Sequence, residues 1–291
     1  MKDNSPVMPV IFVSHGVGPW PYMKGMENRY LTTRRELARI PTLLHRPPSA
    51  VLVISGHWEG SDFQVSSAAR PGMQYDYHGF PNYTYQITYP AAGAPTLADR
   101  LTQLLADAAI SVQSDAQRGF DHGTFVPMSL MYPHADVPIV MMSLKSSLDP
   151  LEHIRAGAAL APLRRENVLI LGSGSTYHNI PAAGSPSARP VAERFEQYLA
   201  DVVAETNPAR RNERLMRWQS APDALSAHPR AEHLLPLMVV AGAAGEDVGY
   251  RLFNEREIGL PLGTYAFGKF QSSVMESTPV LASRQAPTLL F

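Results

Sequence analysis

Four short stretches of the chain are almost continuously apolar: Val7 to Val13, Ala50 to Ile54, Val137 to Leu144 and Asn167 to Leu171. Apolar runs of strand length that do not alternate describe strands buried on both faces, the environment of a parallel sheet. Other stretches carry the longer helical repeat: Thr96 to Ala109, Pro150 to Leu163, and Pro190 to Glu205, which opens on a proline suited to a first turn. Ala231 to Ala244 is apolar all round and reads as a buried helix. Strands alternating with helices predict an α/β fold: a single domain with a mostly parallel central sheet flanked by helices, and a site at the C-terminal ends of the strands. Residues 1–271 are expected to form that domain. Residues 272–291, where the periodicity weakens, are expected to be a tail, either an arm onto a partner subunit or unstructured.

One segment breaks the pattern. Arg70 to Pro95 is rich in Tyr, Pro and Gly and too long for a plain connection, so it is expected to form a lid or wall over a site. Composition removes several chemistries. The net charge of -1, with no long basic run, argues against nucleic acid or an anionic membrane as partner. With no cysteine in the chain, disulfides, thiolate metal sites and thiol nucleophiles are excluded. The N-terminal apolar stretch runs into a histidine rather than a cleavage site, and no apolar run reaches membrane-spanning length, so a cytoplasmic protein is expected.

The ten histidines carry the chemistry through their positions. His15 follows the first apolar run, His57 the second, and His178 the fourth after a short Gly/Ser turn. His233 is placed in the first turn of the last helix. Side chains at the carboxyl ends of parallel strands face one crevice, so three or four imidazoles are expected to converge there as ligands for a metal such as iron or zinc. Of the nearby carboxylates, Glu232 adjoins His233 and is expected to point elsewhere, and Glu59 has no claim over the histidines. His122, in a Gly-flanked turn, reads as a substrate-contacting or supporting group, and His78 as either substrate-contacting or exposed. His228 is assigned a structural role, and His45, His134 and His153 the surface. Gly172-Ser-Gly-Ser lacks the spacing of a nucleophile elbow and is read as a turn that brings backbone close to the site and swings His178 inward.

The ordered set SHGVGP, SGHW, FDHGTFVP, STYHN and EHLLPL resembles the class III extradiol ring-cleavage dioxygenases of the LigB-type superfamily, and within them the branch of the DOPA 4,5-dioxygenases. The likeness runs from Met8 to Lys269. It implies that His15, His57 and His233 hold the metal, that His178 is the acid/base residue and that His122 lines the substrate site. It implies Fe(II) for activity, with Zn(II) able to occupy the same position. The reactants would be O₂ and a small aromatic diol, DOPA-like or a related dihydroxyphenyl compound, opened beside its hydroxyls to a muconic semialdehyde. A homo-oligomer is compatible with this. The chain departs from the protocatechuate branch, where a glutamate takes the third ligand position that His233 would take here. Two other readings stay open at this stage: a zinc hydrolase built on three histidines and a water, and a non-enzymatic binding protein of the Memo type, whose fold is similar.

Overall fold

The computed structural model describes residues 6–256 and 258–271. The expected tail, 272–291, lies outside the described residues. In chain order the elements are β1 (Val10–Ser14), α1 (Leu31–Leu43), β2 (Ala50–Gly60), β3 (Phe63–Ser66), α2 (Pro95–Asp107), β4 (Val112–Asp115), α3 (His122–Met131) and β5 (Ile139–Lys145). Then follow α4 (Pro150–Leu160), β6 (Val168–Gly174), α5 (Ala188–Val203), α6 (Pro208–Met216), α7 (Ala224–Ala227), α8 (Leu235–Ala244), β7 (Gly249–Glu255) and β8 (Leu262–Phe267). The strands form one eight-stranded sheet in the order β4-β3-β5-β2-β6-β1-β8-β7.

The four apolar runs are the centre of that sheet. β5, β2, β6 and β1 lie side by side and parallel, and nearly every residue in them is buried. The expectation of a mostly parallel α/β sheet therefore holds, with antiparallel pairing where β8 meets β1 and β7 and where β3 meets β5. Alternation along β6 shows how the two faces are covered. Gly172 and Gly174 look onto α8, while Ser173 looks the other way and donates to the Gly123 carbonyl at the start of α3. A Cβ at Gly174 would lie 2.0 Å from the carbonyl oxygen of His233, so only a glycine lets the end of β6 dock backbone to backbone against the turn before α8. A bond from Ser175 N–H to the same oxygen (2.9 Å) fixes that contact.

α8 is buried along its whole length, as its all-round apolar sequence requires, and packs against α4. The two helices touch through reciprocal glycines. A Cβ at Gly157 would lie 2.0 Å from the Val239 carbonyl oxygen, and one at Gly242 would lie 2.0 Å from that of Ile154. Among the described residues no helix is long and apolar enough to cross a membrane.

Candidate metal centre

His15 is the first residue past β1, as expected, and its N–H bonds to the Gly174 carbonyl (3.0 Å) across the parallel pair. His57 sits differently from the expectation. β2 does not end at Ile54 but continues to Gly60, and its pairing with β5 is interrupted: Ile54 opposes Met142, and the next pair is Glu59 with Leu144. The segment between them bulges, and a bulge re-aims the side chains it carries. His57 therefore points into the crevice from inside a strand. His122 is not in a turn but is the first residue of α3, capped by Asp121, whose carboxylate accepts from Thr124 N–H (3.0 Å), Ser55 Oγ (2.8 Å) and Arg118 Nη2 (2.6 Å). His233 lies in the turn just ahead of α8 rather than in its first turn.

The structure brings His15, His57, His122, His178 and His233 together in one crevice. The Nε2 atom of His57 is 3.1 Å from that of His15 and 3.0 Å from that of His233. The ring of His122 lies 4.0 Å from that of His57 and 5.2 Å from that of His15, centroid to centroid. The ring of His178 stacks on that of His233 at 3.3 Å.

What holds the rings decides their chemistry. The Nδ1 atoms of His57 and His122 both face Asp76 Oδ2, at 3.1 and 2.8 Å. Those of His178 and His233 both face Glu232 Oε1, at 2.9 and 3.0 Å. The Nδ1 of His15 faces Ser173 Oγ at 3.0 Å, and because that hydroxyl already gives its proton to Gly123, its oxygen is left to accept. The Nδ1 atoms of His15, His122, His178 and His233 thus carry the hydrogen and their Nε2 atoms present lone pairs, and the closeness of Asp76 to the Nδ1 of His57 favours the same tautomer there. Lone pairs 3.0–3.1 Å apart repel unless a cation lies among them. Two nitrogens bound to one ion at about 2.1 Å, with an angle of roughly 90–110°, are themselves about 3.0–3.4 Å apart. The donor set therefore fits a metal ion. The imidazoles of His15, His57 and His233 are also held neutral, as ligation requires. Burial, reinforced by the neighbouring histidines, pushes His15 and His57 well below the usual range. Burial likewise takes His233 down to about 4, against the opposing pull of Glu232. Two groupings are compact throughout: His15, His57 and His122 each offer a ligand atom within 4.8 Å of the others, as do His178, Glu232 and His233.

Two carboxylates that organise this centre were not expected. Glu232 does not point away from His233 but receives both it and His178. Burial pushes its carboxyl up, yet the two histidine donors outweigh that and hold it well below the usual carboxylate range. Asp76 belongs to the Tyr-rich segment and reaches back to two of the histidines; the His122 N–H also bonds its Oδ1 at 2.9 Å. Glu59 is not a ligand candidate, because Arg230 grips it with two bonds of 2.6 Å. Of the remaining histidines, His45 and His134 are exposed as expected, and His78 is exposed at the mouth of the crevice. His228 is fully buried against Phe195 and Trp218. The surface assignment of His153 is corrected: it is fully buried in α4, donating from Nδ1 to the Asp149 carbonyl (2.7 Å) and accepting at Nε2 from Lys145 N–H (3.1 Å).

The crevice opens into a cavity of about 390 Å³. The Tyr-rich segment forms part of its wall through Tyr77 and Phe80, which supports the reading of that segment.

Comparison with known proteins agrees with this geometry. The family described as the catalytic LigB subunit of aromatic ring-opening dioxygenase matches residues 10–261. The chain is 38% identical over 281 residues to dioxygenase tasH of Hapsidospora irregularis, covering 89% of this chain and 85% of that one. It is 38% identical over 278 residues to a 4,5-DOPA dioxygenase extradiol of Beta vulgaris (91% and 98% covered). To the protein of that name in Escherichia coli it is 34% identical over 243 residues (82% and 86%). Among solved structures, an uncharacterized protein from Escherichia coli K12 superposes with a TM-score of 0.72 at 31% identity, covering 90% of this chain and all of that one. A histidine-lined, metal-fitting crevice at the ends of parallel strands, in a chain related along nearly its whole length to enzymes of this kind, makes the protein an extradiol dioxygenase of the LigB family, in its DOPA-dioxygenase-like branch.

Proposed function

We propose that His15, His57 and His233 hold the metal, that the active ion is Fe(II), and that the substrate is a catechol opened beside its hydroxyls to a muconic semialdehyde. The observation that carries this is the close approach of three Nε2 atoms, with the Nδ1 hydrogens of His15 and His233 committed to Ser173 and Glu232 and the Nδ1 of His57 facing Asp76. When bound, the ion would acidify the diol and relay electrons between the aromatic ring and O₂, chemistry open to Fe(II) and closed to Zn(II), which can fill the same site.

The chain's own part is positioning and proton handling. His178 is placed to take a proton from a catechol hydroxyl. Its Nδ1–H is anchored on Glu232, which leaves Nε2 as the base and stabilises the imidazolium once formed. The same group can return the proton to the opened product. His122, anchored on Asp76, presents its Nε2 from the opposite carboxylate and lines the substrate position. Tyr77 and Phe80 offer faces and edges to a flat ring.

The test is to strip metal with a chelator, reload separate samples with Fe(II) and Zn(II) under argon, and record O₂ uptake with a panel of catechols. Uptake with yellow product in the iron sample alone is expected. Equal uptake in a zinc sample shown to be free of iron would overturn the redox assignment.

A further inference from the structure

We propose that the catechol this enzyme takes carries an uncharged, apolar ring substituent, not a carboxylate or an ammonium. This rests on the reading of the site given above and narrows its substrate class. The cavity is divided by polarity. Its floor holds the five histidines and Asp76; beyond them the wall is built from Val17, Phe80, Ile180, Ile258, Leu260 and Leu262. Among the described residues lining it there is no lysine or arginine.

Three of the polar residues lining it, Asp76, Tyr77 and Ser175, are already engaged. Both oxygens of Asp76 accept from histidines. The Tyr77 hydroxyl donates to the Thr84 carbonyl (2.6 Å), and Ser175 Oγ donates to the Tyr177 carbonyl (2.7 Å). Nearby guanidiniums are paired elsewhere, Arg118 with Asp121 and Arg230 with Glu59. His78, at the mouth, is exposed, so water solvates whatever lies there.

With its hydroxyls toward the histidines, a catechol directs its substituent onto this wall. A charge placed there loses part of its hydration, Val17 and Ile180 being themselves about half exposed, and meets no lysine or arginine among the described lining residues. Each methylene placed there instead gains about fourfold in affinity, from roughly 0.8 kcal/mol of apolar burial.

The experiment is isothermal titration of Zn(II)-loaded protein with catechol, 4-propylcatechol, 3-(3,4-dihydroxyphenyl)propionate, dopamine and L-DOPA, with kcat/KM of the Fe(II) form measured on the same panel. The propyl compound is expected to bind at least about tenfold more tightly than catechol, and the three charged compounds no more tightly than catechol. A charged compound that binds as tightly as 4-propylcatechol overturns the inference, and so does failure of the whole panel to bind. If binding follows the expected order but the Fe(II) form takes up no O₂ with any compound, the apolar wall stands and the dioxygenase assignment to catechols falls. In a second arm, Ile180→Arg supplies the missing cation at an exposed position on the cavity rim. It should shift preference toward the propionate by up to about fivefold, the worth of a solvent-exposed ion pair. No shift, with the variant folded, would also overturn the inference.

Discussion

Glu232→Gln isolates what the shared carboxylate does. In the native protein one oxygen, Oε1, receives the Nδ1 hydrogens of both His178 and His233, at 2.9 and 3.0 Å. The two rings are stacked face to face at 3.3 Å, so neither can turn without displacing the other. Glutamine keeps the shape and one acceptor oxygen but removes the charge. A single neutral oxygen then serves two donors, or the amide turns its NH₂ toward them and opposes both. Hydrogen bonds to a charged partner contribute about 1.5–3 kcal/mol and neutral ones about 0.5–1.5, so roughly 1–2 kcal/mol of orientation is lost per ring. On His233, a proposed ligand, that loss corresponds to metal affinity weakened about 5–30-fold, overlapping the roughly 10–100-fold found when a ligand's supporting partner is removed. On His178 it loosens the hold on the ring and should depress kcat further. Competition against a chromophoric chelator reads the first effect; steady-state kinetics at saturating Fe(II) reads the second. Circular dichroism checks the fold, and His233→Ala gives the floor for complete loss of a ligand. Native metal affinity together with native kcat in Glu232→Gln would refute the view that the carboxylate orients these rings.

Three further outcomes are expected. Alanine at His15, His57 or His233 should take metal content toward zero by elemental analysis, whereas His178→Ala should retain the metal and lose about 10²–10⁴ in turnover; metal loss in His178→Ala would make it a ligand. His153 is held below its usual range mainly by burial, so the folded protein refuses a proton that the unfolded chain accepts below about pH 6.5. Its contribution to stability is therefore complete above that pH and falls on acidification, by up to about 1.4 kcal/mol per pH unit. Urea titrations of the wild type should show that extra slope relative to His153→Gln, and parallel curves would contradict it. Gly242→Ala should lower the urea midpoint by about 1–3 kcal/mol of overpacking, despite alanine's better helix propensity, because the new methyl meets the Ile154 backbone; an unchanged midpoint would mean that α4 and α8 slide apart freely.

The parts of the fold legible in the sequence were those whose burial is complete. β1, β2, β5 and β6 are covered on both faces, so their apolar runs are unbroken, and α8 is apolar all round for the same reason. The outer strands carry no such mark. β4 has no buried residue, and β8 interrupts its apolar run with Gly263 and Thr264. α3 passed for a turn because it contains Gly123 and Pro127, residues that usually end helices. At the site the same divide holds. The histidines were legible because strand ends face a common crevice. Glu232 was set aside because adjacent side chains on a helix diverge, but residues 232 and 233 lie in a turn before α8, where that rule has no force. Asp76 stands 46 residues from His122 in a segment without periodicity, and its role exists only once the chain has folded.

That placement of Asp76 ties together two tasks often treated as separable. The segment that shapes the cavity wall through Tyr77 and Phe80 also supplies the acceptor for His122 and the carboxylate that faces His57. Redesign for a new ring therefore cannot treat 70–95 as an interchangeable cassette. A transplanted loop with an ideal surface for its substrate, but without a carboxylate returning to the same two imidazoles, would release a tautomer at the centre while improving the fit at the mouth. Libraries that diversify this segment should hold position 76 fixed and vary its neighbours, and a screen scoring ligand binding alone would enrich variants with a well-shaped pocket and an idle centre.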